Sequence, residues 1–200
     1  MRTIKKVASH IFIDGFGGMT QGLFATLIIG TMIQQIGLLI GGSTGNVIYL
    51  LGKAAAALTS AGIGVGVAVK YGESPLVTVS AAVAAMVGGY AGKITGGTFF
   101  VDGNAVLAGP GEPLGAFIAA FAGITCGHLV SGKTKVDIIV TPVITIGAGS
   151  VVGLLVGPPI SQMMTGLGSI INWATEQRPF IMGIVVSVVM GMVLTLPISS

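Results

Sequence analysis

From Gly15 to Gly52 the chain carries no charged side chain. One membrane crossing takes about 20 apolar residues, so this run is too long for a single span. In its middle, Gly41-Gly42-Ser43-Thr44-Gly45-Asn46 is a turn signal. The run therefore divides into a helix near 16–40 and a second near 47–69, with Lys53 early in the second. Charged residues are 8% of the 200-residue chain against 52% hydrophobic, and the mean hydropathy is +0.98. So few charges cannot cover the surface of a soluble fold, whereas lipid accepts an apolar exterior. The expected fold is all-α: a polytopic transmembrane bundle of about six helices with re-entrant or broken segments.

The remaining apolar runs complete the set. Lys70 to Pro75 is a short charged loop, and a third helix runs near 76–92. Lys93 to Pro113 is glycine-rich and holds Asp102, Asn104, Pro110 and Glu112. A fourth helix near 114–130 is followed by the polar loop Ser131–Asp137, and a fifth near 138–157 by a mixed segment from Pro158 to Arg178. The sixth runs near 180–198. Arg2, Lys5 and Lys6 precede the first run, which continues far beyond the core of a signal peptide and is read as a retained membrane helix. The chain ends straight out of the sixth helix at Leu196-Pro197-Ile198-Ser199-Ser200. Residues 1–200 are expected to be a single membrane domain, the N-terminal part of a longer protein.

Several classes of chemistry lack support. A net charge of +3 without basic and aromatic residues interleaved gives no nucleic-acid site. One cysteine, Cys126, excludes an intrachain disulfide, and His10 and His128 share no ligand spacing, so no metal and no cofactor is expected. Gly127 to Thr134 fits the spacing of a phosphate-binding loop, but it follows a membrane helix instead of a strand. Asp137 complements the dipole at the start of the fifth helix, while Asp14 and Lys53 flank helices and reach for the interface.

Glycines repeat every fourth residue at Gly88, Gly92 and Gly96 and again at Gly149, Gly153 and Gly157, and Gly183, Ser187 and Gly191 repeat the pattern. Such stripes let helix backbones approach closely, as in packed or sliding interfaces. The polar groups that invite chemistry lie in the two broken segments. One is too apolar for an aqueous loop and too broken for a helix, a backbone tolerated at membrane depth only against protein or a water-filled cavity. Transporters place substrate sites at interruptions of this kind. The other holds Asn172, Trp173, Glu176 and Arg178, an aromatic beside amide and carboxylate groups that suits sugar, or an interfacial tryptophan beside a surface ion pair. The expected substrate-binding set is Asp102, Asn104, Glu112, Asn172 and Glu176.

The runs VDGNAVLAGPGEPLGAFIAA, HLVSGKTKVDIIVTP, GLLVGPPIS and INWATEQRPFIMGIVVSVVMGMVLTLPISS resemble the phosphotransferase system enzyme IIC type 2 family, to which regulators of the perfringolysin type belong. The resemblance covers the whole chain and is strongest over 96–200. It implies a sugar permease of the phosphoenolpyruvate-dependent system, a homo-oligomer in the bilayer that presents a sugar hydroxyl to a phosphorylated partner, here a separate phosphocarrier subunit. Related permeases carry a Thr-Glu-Pro motif whose glutamate contacts sugar. Thr175-Glu176 is similar, but Gln177-Arg178 stand before Pro179, and neither histidine sits in the context that the related sites use. The other readings are a ligand-sensing membrane regulator without transport and an ion-coupled secondary transporter.

Six crossings put Arg2, Lys5, Lys6, Lys70, Lys133 and Lys135 on one side and Lys53, Lys93 and Arg178 on the other. The excess of basic residues places the N-terminus and the 131–137 loop in the cytoplasm. With Cys126 replaced and a cysteine placed at position 133, an impermeant thiol reagent added to intact cells should leave that position unlabelled. Labelling from outside would reverse the orientation.

Overall fold

The computed structural model describes residues 10–101, 103–107, 109–175, 183–184, 187–188 and 191. Helix α1 (Ile13–Ile40) is one continuous apolar span, with π-helical turns at its start and at Phe24–Ile28. Gly41 and Gly42 reverse the chain with φ of +66° and +64°, a conformation glycine adopts without steric cost. Helices α2 (Gly42–Ala57) and α3 (Thr59–Lys70) then return as one path, bent by 53° at Leu58. Ser74 caps helix α4 (Pro75–Gly89) by accepting from the Val77 amide, and Pro75 opens its first turn, where a missing N–H costs nothing. Past Tyr90 the short helix α5 (Ala91–Thr95) continues the path.

A two-residue hairpin follows. Strands β1 (Phe100–Val101) and β2 (Asn104–Ala105) pair antiparallel, Phe100 with Ala105 and Val101 with Asn104. Helix α6 (Pro113–Val130) and helix α7 (Asp137–Thr175) complete the described bundle. Among the described residues, helices α1, α6 and α7 are each long and apolar enough to cross a membrane, the bent α2–α3 pair has the length and composition of a fourth, as a broken span or a re-entrant loop, and α4 is a shorter apolar helix. These paths correspond to the first five expected helices. The sixth, near 180–198, lies largely outside the described residues, and those described within it are helical.

Two expectations change. The second helix starts at Gly42, so only the glycine pair turns and Ser43–Asn46 already belong to the helix. The segment after Pro158 was expected to be broken, yet α7 runs unbroken through Pro142, Pro158 and Pro159 to Thr175. The residues from Ile160 to Ile171 are mostly apolar, and a backbone in an apolar medium satisfies its polar groups best within a helix, which tolerates local proline. Its 39 residues span about 58 Å, nearly twice the thickness of a hydrocarbon core of about 30 Å.

Helices pack here through backbone contact. Between helices in lipid there is little hydrophobic drive, and small residues gain dispersion contact by close approach. Along the α1 hairpin, Gly18 faces Gly66, Gly22 faces Gly62, Gly30 faces Gly52 and Gly37 faces Gly45. A Cβ on Gly18 would stand 2.6 Å from the Gly66 carbonyl oxygen, and one on Gly37 2.7 Å from that of Gly45. The outer part of this hairpin, Ile29–Ala57, packs chiefly on itself and stands off the bundle. The inner part joins a core built largely from alanines and β-branched residues: Met19, Ile63, Val67, Ala81, Ala85, Ala116, Phe117, Ala120 and Ile124 among them. Phe16 stacks on Phe117 with ring centroids 4.8 Å apart.

A second seam joins α4, α6 and α7. The expected stripe Gly149, Gly153 and Gly157 is buried there, against Ala119, Gly88 and Ala91. Within the Gly88 stripe, Gly88 meets Gly115 and Ala119, Gly92 meets Ser161, and Gly96 is exposed. A Cβ on Gly153 would lie 2.8 Å from the Gly88 Cα, too close without moving a backbone. Gly153→Leu should therefore force α4 and α7 apart, at about 1–3 kcal/mol or more. Size-exclusion chromatography in detergent should show loss of a monodisperse peak, with a lowered melting temperature. A variant that purifies and melts like its parent would mean that the seam contributes nothing to stability.

Candidate functional site

The bend at Leu58 interrupts the α2–α3 helical path, and helix interruptions leave carbonyls that need donors. The Tyr90 hydroxyl supplies one. Tyr90, only 1% exposed, donates to the Ala57 carbonyl at 3.2 Å and also to the Gly109 carbonyl. Ser60, fully buried two residues beyond the bend, donates to the Pro110 carbonyl at 2.9 Å. The Glu112 amide donates to the Gly89 carbonyl at 2.7 Å. The segment Gly109–Glu112 is thus strapped across the bend of α2–α3 and the end of α4. Gly111, at φ +76°, lies against Ser60 and Gly89, so a side chain there would meet both strain and collision. On the outer side of Tyr90, Phe99 packs against its ring at 5.4 Å between centroids, and Lys93 Nζ lies 5.4 Å from the ring centre.

Two cavities flank the strap. The inner one, about 270 Å³, is lined by Gly89, Gly92, Lys93, Pro110, Gly111, Glu112 and Ser161. The outer one, about 480 Å³, is lined by Gly92, Thr95, Gly96, Pro158, Ser161, Gln162 and Thr165. The lining of the inner cavity is buried or half-buried, whereas Thr95, Gly96, Gln162 and Thr165 of the outer one are exposed. In the inner cavity Glu112 brings a carboxyl and Lys93 an ammonium. Burial raises the Glu112 pKa above the ordinary carboxylate range, and the charge of Lys93 opposes that rise. Hydroxyl, amide, carboxyl and ammonium groups around a small volume equip these cavities to hold a polar, hydroxyl-bearing solute by hydrogen bonds.

Of the residues expected at the site, Glu112 lines the inner cavity. Asn104 is exposed in β2 and Asn172 is exposed near the end of α7. They line neither of these cavities. Asp102 and Glu176 lie outside the described residues. Sequence reasoning missed Ser60, Tyr90, Lys93, Ser161 and Gln162. Lys93 carried a signal, as a charge at the end of an apolar helix. Ser60 and Ser161 carried none, because a serine in an apolar helix reads as a packing residue.

At the opposite end of the bundle the short loops are tied by local polar contacts. His128 Nδ1 lies 2.9 Å from Glu73 Oε1, and the Ser74 and Ser131 hydroxyls are 3.0 Å apart. Asp137 Oδ1 accepts from the Gly132 amide at 2.9 Å and the Thr141 hydroxyl at 2.6 Å, as a carboxylate in the first turn of a helix should. The Tyr71 hydroxyl is pushed up to about 12 by burial, with the charge of Asp14 adding to the rise. Gly127, first residue of the phosphate-loop spacing, lies inside α6, so no strand precedes that spacing. Among the described residues no group of three or more His, Cys, Asp or Glu could hold a metal.

Tyr90→Phe keeps the ring and removes the donor that joins the strap to the bend. It should weaken the strap by about 1–3 kcal/mol, the cost of leaving a buried acceptor unmatched. Amide hydrogen exchange within 96–112 should speed up accordingly, while that of α6 stays unchanged. Equal exchange in both proteins would show that the hydroxyl does not hold the segment down.

Among known protein families, the one described as phosphotransferase system, EIIC, has a model that matches residues 13–200. No curated protein and no solved structure matches the chain.

Proposed function

The chain belongs to the phosphotransferase system EIIC family, and we propose that its inner cavity is the place where this multi-pass membrane permease takes hold of a single sugar or sugar-sized polyol. The observation that carries the reading is Glu112: a half-buried carboxyl beside Lys93, at the mouth of a strapped, interrupted membrane path. A cavity of about 270 Å³ falls below the roughly 300–1,000 Å³ typical of sites for drug-sized ligands. It suits one small solute better than an oligosaccharide. Glu112 accepts hydrogen bonds from substrate hydroxyls and Lys93 donates to them, while Ser161, Gln162 and Thr165 supply further polar groups along the outer cavity. Asp102, Asn104, Asn172 and Glu176 are proposed as further substrate-binding groups, supported by their residue chemistry alone, since Asn104 and Asn172 line neither cavity and Asp102 and Glu176 lie outside the described residues.

In this reading the N-terminus is cytoplasmic, the site loads from the other face, and the sugar is passed to a separate phosphocarrier on the cytoplasmic side. Assembly into a homo-oligomer belongs to the same proposal. The family membership supports the sugar and the phosphotransferase partners. The basic residues Lys70, Lys133 and Lys135 at the Glu73–His128 end support the orientation.

Uptake of a panel of labelled sugars, measured with and without phosphoenolpyruvate-dependent phosphorylation, tests the function directly. Glu112→Gln keeps the shape and removes the charge. It should lower sugar affinity about ten- to a hundredfold without altering the melting temperature by more than a degree or two. Unchanged affinity would remove Glu112 from the site. Sugar binding without any uptake would replace the permease reading with that of a ligand-sensing regulator.

A further inference from the structure

Between Phe16 and Ile40 helix α1 holds six polar side chains, Thr20, Gln21, Thr26, Thr31, Gln34 and Gln35. Four of them bond back to their own helix. The Thr20, Thr26 and Thr31 hydroxyls donate to the Phe16, Gly22 and Ile28 carbonyls, and the Gln34 amide donates to that of Gly30. Gln21 and Gln35 are exposed and make no side-chain hydrogen bond among the described residues. A primary amide carries two donors and an acceptor, and in hydrocarbon such a group is costly to leave unbonded. These two glutamines stand on one stripe. Gln21, Ala25, Ile28, Met32, Gln35 and Leu39 follow each other at alternating steps of four and three residues, and every one of them is exposed. That is the spacing of a seam along which two helices pack side by side. A different face of α1, with Gly18, Gly22, Gly30 and Gly37, is the one already occupied by α2 and α3.

We propose that this stripe is where two copies of the chain meet, with their α1 helices parallel and Gln21 and Gln35 each against its own equivalent. The inference rests on the homo-oligomeric reading above and adds the face that carries it. Copies inserted in the same orientation are related by a two-fold axis along the membrane normal, which sets each seam residue opposite itself. A glutamine is its own complement there, because each carbonyl accepts from the other copy's amide. Lipid satisfies Ile28, Met32 and Leu39 as well as protein does, but it offers nothing to the two amides. The amides also fix the register, since a slip of seven residues would set each glutamine against Ile28. From Gln21 to Leu39 the stripe is about 27 Å long, close to the hydrocarbon thickness of about 30 Å. Two helices in contact over that length bury on the order of 1,000 Å² in all, the area at which a stable interface begins.

Cross-linking and association in the bilayer test the seam without reference to sugar. In the full chain carrying Cys126→Ser, Ile28→Cys, Met32→Cys and Leu39→Cys should each cross-link between copies on mild oxidation of native membranes. Val47→Cys, also exposed but on α2, should not. Gln21→Leu combined with Gln35→Leu removes both amide layers and keeps the apolar bulk. The monomer–dimer dissociation constant, read by energy transfer between labelled copies in vesicles, should rise about tenfold or more. Gln21→Asn combined with Gln35→Asn retains the amides and should stay closer to the parent. An unchanged constant in the double leucine variant overturns the seam. So does cross-linking at position 47 as strong as at position 32, which would mark random collision. A dimer that cross-links at none of positions 28, 32 and 39 overturns the seam and leaves the oligomer standing. A chain that is monomeric at every protein-to-lipid ratio overturns both, and the stripe then faces lipid or another segment of its own chain.

Discussion

The structure depends on helices that meet backbone to backbone. In water, apolar side chains drive helices together. In lipid that drive is nearly absent, and what remains is dispersion contact at short range with a few polar contacts. The four facing glycine pairs of the α1 hairpin and the Gly88–Gly153 crossing are how this chain reaches short range. Alanine then fills the space that glycine leaves, which is why so many alanines lie among the fully buried residues. A bundle packed this way has little tolerance for added volume at its seams, and large residues such as Leu38, Leu51 and Leu155 are turned outward.

Close packing has a second effect at the site. With helices in contact, an interruption in one of them is enclosed by its neighbours, and its unpaired carbonyls must find donors within the protein. Ala57, Gly89, Gly109 and Pro110 all present carbonyls near the bend at Leu58, and Tyr90, Ser60 and the Glu112 amide satisfy them. The strap is held through main-chain atoms on one side in every case. That leaves the side chains of Lys93 and Glu112 at the inner cavity.

The sequence showed what depends on long runs and on periodicity. Charge-free stretches located the spans, Gly41-Gly42 located the reversal, and the spacing of Gly149, Gly153 and Gly157 marked a seam. Glu112 drew attention because a carboxyl in a glycine- and proline-rich apolar segment needs an explanation, and it lines the inner cavity. The bend at Leu58 was not legible, since Ala57-Leu58-Thr59 holds neither glycine nor proline and its cause lies in the neighbours that accept the broken path. The π-helical turn at Phe24–Ile28 was hidden for the same reason. Pro158-Pro159 misled in the opposite sense: a local signal for a break was overridden by the medium. Ser60 and Ser161 became meaningful only when the fold brought them to Pro110 and Gly92.

Among the described residues, the outer part of the α1 hairpin meets the bundle chiefly at the π-helical turn in α1 and the bend at Leu58, and these lie between the same two glycine pairs. Gly22 with Gly62 grips on one side, and Gly30 with Gly52 on the other. The arm beyond joins the bundle at Leu58, and Ala57, its last residue, carries a carbonyl that accepts from the same Tyr90 hydroxyl as Gly109 of the strap. One hydroxyl thus ties the strap both to the end of α2 and, through it, to the arm.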